Sequence, residues 1–99
     1  MQKIISYLGF ANKSNKLIAG QTPLKHCTKT LYLVMVCGSA SQNLLDLANN
    51  VAKKHNCECI VTNCPLSELT NIENVKIVGL TDENLSKAII NYKEKINIG

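Results

Sequence analysis

Residues 16–29, KLIAGQTPLKHCTK, hold the first grouping able to do chemistry. Gly20 lets the chain turn tightly. A helix opened by Thr22 as cap and Pro23 as first residue follows, and its early backbone N–H groups suit an anion such as phosphate. Lys25 and Lys29 lie four apart, on one face of that helix. With Gln21 and Thr22 they point toward a nucleic-acid backbone, although a plain strand–turn–helix with solvated lysines uses the same residues. The second grouping is Cys37-Gly38-Ser39-Ala40-Ser41. A thiol at the end of a buried strand, ahead of a helix start, is acidified and can hold phosphate. As a nucleophile it would want a base. His26 and His55 are the only histidines, and nothing in the sequence brings either close. A strand-end cysteine followed by a helix cap accounts for the segment without catalysis.

The five cysteines, Cys27, Cys37, Cys57, Cys59 and Cys64, are odd in number and include no CxxC pair. Reduced thiols fit better than a disulfide framework. Cys57-x-Cys59-x4-Cys64 beside His55 raises zinc, but the spacing matches no standard finger or ribbon. A strand through Cys57 and Cys59 puts both on one face, where small thiols fill core space. Core packing is the expectation, with no metal and no cofactor.

The elements that must position these groups follow from periodicity. Ile4, Ile5 and Leu8 mark a short amphipathic helix over residues 2–10, and 12–15 is a polar turn. Residues 16–19 form a strand ended by Gly20, and the Thr22-Pro23 helix runs to about residue 28. LYLVMVC, residues 31–37, is apolar almost throughout, as for a strand covered on both faces. Ser39 or Ser41 caps a helix whose stripe is Leu44, Leu45, Ala48, Val51 and Ala52. Residues 58–62 and 75–80 are further strands, with a helical turn opened by Pro65 between them. Thr81-Asp82-Glu83 starts a last helix, with Leu85, Ala88, Ile89 and Tyr92 on one face and acids suited to its dipole. Strands alternating with helices predict an α/β protein: a four-stranded, mainly parallel sheet in a three-layer α/β/α sandwich. Tyr7, Tyr32, Tyr92 and Phe10 are too scattered to stack single-stranded bases. Three of these four fall in apolar patterns and are read as core.

Composition sets the bounds. With 99 residues, 45% hydrophobic and 18% charged, the chain is one domain's worth of ordinary globular sequence, residues 1–99. No apolar run reaches the ~20 residues needed to span a bilayer. MQKIISYLGF does not read as a signal peptide, so the cytoplasm is the expected compartment. All eleven basic residues are lysine. Residues 1–45 hold Lys3, Lys13, Lys16, Lys25 and Lys29 with no carboxylate, while 46–99 are nearly balanced. A positive half on a small domain is the electrostatic footprint of a polyanion partner, or a solvated face.

The run YLGFANKSNKLIAGQTPLK resembles the opening of the ribosomal L-seven-Ae and L-thirty-e family, especially its small bacterial YlxQ-like members. LYLVMVCGSAS is similar to that family's central strand and following loop, and VKIVGLTDENLSKAI to its closing strand and helix. The likeness spans about residues 8–90. It implies a non-catalytic, ribosome-associated protein that binds structured RNA of the kink-turn kind. Carried over by position, Gly20, Gln21, Thr22 and Lys25 read tandem sheared G·A pairs, and Thr62, Asn63, Cys64 and Pro65 pack against a flipped-out base. Such recognition targets distorted nucleotides, because the A-form major groove is too narrow to read. Lys13, Lys16, Lys25 and Lys29 would supply charge. Where the strongest kink-turn binders carry Asn-Glu, this chain has Thr22-Pro23. With no arginine, base reading falls to lysine or to amides such as Gln21 and Asn63.

Two other readings stand beside this one. The Cys37 loop looks like the phosphocysteine loop of sugar phosphotransferase IIB components, although there the cysteine-bearing strand opens the chain. A divergent family member could also contact protein in place of RNA. Structured RNA, with the protein as a monomer, is the expected partner.

Overall fold

The computed structural model describes residues 2–63 and 65–96, so Cys64 lies outside the described residues. The elements run α1 (Gln2–Lys13), β1 (Leu17–Ala19), α2 (Gln21–Lys25), β2 (Leu33–Cys37), α3 (Gln42–His55), β3 (Glu58–Thr62), α4 (Leu66–Thr70), β4 (Ile77–Leu80) and α5 (Glu83–Ile96). Together they make a mixed α/β fold around one four-stranded sheet. None of the described helices is long and apolar enough to cross a membrane.

Local chemistry sets the helix ends. Ser41 caps α3, its Oγ accepting from the Leu44 N–H at 3.3 Å. Asn56 (φ 54°) closes α3 and Asn71 (φ 60°) closes α4, both in the left-handed conformation that glycine more often supplies. Helix α2 starts earlier than Thr22. Gly20 is its N-cap, with φ 97°, a value that disfavours any residue with a Cβ. Pro23 therefore sits third in the helix. Its missing N–H is one of the first-turn donors that have no helical partner, so the helix loses no bond.

The strand order is β1-β4-β2-β3. Only β2 and β3 pair in parallel; β4 runs antiparallel to both β1 and β2. The sheet is thus mixed, which corrects the mainly parallel sheet expected from strand–helix alternation. Alternation predicts a parallel strand only where the intervening helix runs back along the sheet. Helix α4, five residues rising about 7.5 Å, packs instead on α1, and the chain enters β4 at the end where β3 stops.

Side chains of β2 alternate between two buried clusters. Leu33, Met35 and Cys37 pack with Ile4, Leu8 and Ala11 of α1, Leu66 and Leu69 of α4, and Ile89 of α5. Val34 and Val36 pack with Leu24 of α2 and Ala48, Val51 and Ala52 of α3. Tyr7 and Tyr92 pack against the first cluster. Phe10 and Tyr32 are exposed, so two of the four aromatic rings, and not three, belong to the core. At β4, Gly79 lets Leu24 and Leu31 close over the strand: a Cβ there would lie 2.6 Å from Leu24 Cδ2 and 3.0 Å from Leu31 Cδ2.

One ion pair ties the start of β1 to α5. Lys16 Nζ donates to Asp82 Oδ2 at 2.7 Å, while Asp82 Oδ1 accepts from the Leu85 N–H at 2.9 Å and so caps the helix. The Lys16 hydrogen bond, then the Leu85 N–H, hold the Asp82 carboxyl below its usual range. A depressed folded-state pKa stabilises the fold above the unfolded pKa and ceases to do so as pH falls through the folded value.

Two stability measurements test this account. Gly79→Ala lowers the unfolding free energy by about 1–3 kcal/mol through overpacking, whereas Gly9→Ala, on α1 with no atom near its would-be Cβ, raises it by about 0.5–1 kcal/mol. In thermal melts, the advantage of the wild type over Asp82→Asn is complete above about pH 5 and closes on acidification; an advantage that grows toward low pH contradicts the assignment.

Candidate nucleic-acid interface

Because β1, β2 and β3 point the same way and β4 the other, three strand ends and one strand start meet at one end of the sheet. Backbone hydrogen bonds knit them in sheet order. The Gly20 N–H donates to the Ile77 carbonyl at 3.0 Å, the Cys37 N–H to the Lys76 carbonyl at 2.9 Å, and the Gly38 N–H to the Thr62 carbonyl at 2.9 Å. Gly20 ends the β1 edge and Thr62 the β3 edge, three interstrand spacings or about 14 Å apart.

This end gathers most of the uncharged candidate residues. Gln21, Thr22 and Lys25 are exposed on α2, and Asn63 and Pro65 are exposed after β3. Thr62 is different: it is 1% exposed and its carbonyl is taken by Gly38, so it shapes the loop from beneath. The structure does not bring the other lysines here. Lys16 precedes Leu17, which pairs with Leu80 at the opposite end, and its charge is held by Asp82. Lys29 lines a cleft with Lys16, Thr81 and Asp82 at that far end, and Lys13 ends α1 three residues before Lys16.

Sequence reasoning missed Lys76. It is exposed and lines a cleft of about 440 Å³ with Gly20, Gln21, Ser41, Asn43, Leu44, Asn74 and Val75. The sequence pattern takes it into the strand 75–80, whereas β4 begins only at Ile77. A parallel β4 would have put it at the far end.

Cys37 lies at the centre of the same end. It is 5% exposed, with Sγ 3.0 Å from Ser39 Oγ. Burial alone pushes the thiol up. Hydrogen bonds from the Ser39 hydroxyl and from the Ser39 and Leu66 backbone, with the charge of Lys76, outweigh burial and bring it below its ordinary value. Cys57 and Cys59 sit half-buried against the α2–α3 cluster. Burial raises both thiols, and for Cys57 the neighbouring Cys59 and Glu58 add to the rise. His55 Nδ1 accepts from the Leu31 N–H at 3.2 Å, which occupies the lone pair a metal would need. Among the described residues, no three His, Cys, Asp or Glu side chains converge.

No known protein family and no curated protein matches the chain. A solved structure does: that of a protein with unknown function from Bacillus halodurans C, with TM-score 0.75 and 16% sequence identity over 90% of this chain and 94% of the other. At that identity the likeness shows the fold alone.

Alkylation of the native protein with iodoacetamide across a pH series, read by peptide mass spectrometry, tests the thiol environments. Cys37 reaches half its limiting rate at a lower pH than Cys57 or Cys59; the reverse order contradicts the hydrogen bonding assigned to Cys37.

Proposed function

We propose that the chain is a small, non-catalytic, cytoplasmic RNA-binding protein, monomeric and ribosome-associated, that grips a structured, kink-turn-like RNA with the Gly20 end of its sheet. The observation that carries this reading is the meeting of two separate stretches, Gly20–Lys25 and the pair Asn63 and Pro65 after β3, at one end of the fold. The resemblance in sequence names both as RNA contacts, and 37 residues lie between Lys25 and Asn63. The three-layer arrangement of that family is supported by the alternation of β2 side chains between two clusters.

The position of the charges changes the expected energetics. Lys25 and Lys76 are the basic groups beside the two segments, so shape and hydrogen bonding carry more of the affinity than a broad basic face would. A second reading, phosphocysteine chemistry, draws on the acidified Cys37 thiol. Its burial and the distance of His55, hydrogen-bonded at the opposite end of the sheet, weigh against it.

Titration of a labelled kink-turn RNA, at salt from about 50 to 200 mM, tests the proposal. Two lysine–phosphate contacts give a slope of log K against log salt of about −1.4 to −1.8, hence roughly a tenfold loss over that range. Replacing the tandem G·A pairs by Watson–Crick pairs weakens binding. Equal binding to both RNAs, or none to either, overturns the reading; labelled phosphate that appears on Cys37 and vanishes in Cys37→Ser replaces it.

A further inference from the structure

We infer that the cleft between Gly20 and the start of α3 is a subsite for one unpaired nucleotide, with Lys76 on its phosphate and the amides of Gln21, Asn43 and Asn74 facing its base. This deepens the RNA reading and rests on it. The first support is position. The loop ends stand in the order Gly20, Lys76, Cys37–Gly38, Thr62 across the sheet. A strand of RNA touching both the Gly20 and the Asn63 segments therefore crosses the starts and ends of β4 and β2, and Lys76 lies on that path.

The second support is the lining. Gln21, Asn43 and Asn74 each carry a primary amide, Lys76 a charge, and Leu44 and Val75 an apolar wall, with no carboxylate among the lining residues. An amide offers a donor and an acceptor side by side, the pattern that a base edge matches. Lysine offers a point charge suited to a phosphate oxygen. A cleft of about 440 Å³ falls within the ~300–1,000 Å³ range of small-ligand sites. Asn43, Asn74 and Lys76 are exposed, so each can be changed without opening the core. Asn74 has φ 60°, which a glycine would tolerate and an alanine would strain, so it is the least suitable of the three for an alanine test.

The experiment compares the wild type with Lys76→Ala, Asn43→Ala and, as a far-end control in the last turn of α3, Lys54→Ala. Each is titrated with a kink-turn RNA and with the same RNA made abasic at one unpaired nucleotide, other than the flipped-out base assigned to the segment after Thr62. Lys76→Ala lowers the magnitude of the salt slope by about 0.7–0.9 and weakens binding about five- to tenfold near 100 mM salt, while Lys54→Ala changes neither. The wild type binds the abasic RNA more weakly than the intact one, and Asn43→Ala removes that difference. Thermal melts show all three variants folded. If the wild type binds the kink-turn and Lys76→Ala keeps its slope and affinity, the subsite falls and the RNA reading stands. If the wild type binds no kink-turn, both fall. Discrimination of the abasic RNA that survives Asn43→Ala overturns the amide assignment.

Discussion

Three backbone hydrogen bonds, from Gly20 to Ile77, Cys37 to Lys76 and Gly38 to Thr62, hold the candidate interface in one piece. Each joins the last residues of one strand to the neighbouring strand, so the loops beyond them inherit the sheet's spacing and cannot drift independently. The exposed side chains on those loops are individually ordinary: amides, hydroxyls, a proline, two lysines. What gives them a collective role is that a rigid row of peptide groups fixes their separation. Recognition of a folded RNA needs this more than it needs charge density, because a distorted helix is read by shape and by the edges of unpaired bases.

The distribution of lysine follows the same division of labour. Lys13, Lys53 and Lys54 stand in the last turns of α1 and α3, where a cation complements the helix dipole. Lys16 locks the start of β1 to α5 through Asp82. The lysines of the acid-free first half of the sequence are thus spread over both ends of the molecule. A charge count along the chain does not translate into a charge patch in space, since every β-strand reverses which end of the fold the next residues occupy.

Much of the architecture was legible because its signals are local. The apolar run of 31–37, of which 33–37 is strand, the α3 cap read as Ser39 or Ser41 and found at Ser41, the helix start at 81–83 and the 58–62 strand each depend on a few adjacent residues. The direction of β4 was not legible in the same way. It depends on whether the chain between β3 and β4 runs back along the sheet or stays at one end, which is settled by the packing of α4 on α1 and not by local residue type. That single misjudgement also hid Lys76, because reversing β4 moves its first residues to the Gly20 end. Glycine at position 20 was correctly singled out as a turn, but the helix begins at Gln21 and not at Pro23, since proline is tolerated anywhere in a first turn.

The insertion of β4 between β1 and β2 has a consequence for how the protein is made. On a ribosome the first strand emerges early, yet its partner in the sheet lies some sixty residues later. Until then β1 has no neighbour, and β2 can pair only on its β3 side. The native sheet therefore closes only once β4 has been synthesised, and the pairing that completes it joins the strands farthest apart in sequence. Such distant pairings slow folding and leave strand edges open in the meantime. A nascent chain with this topology depends on prompt release, or on a companion that shields those edges, more than a chain whose strands pair in the order they appear.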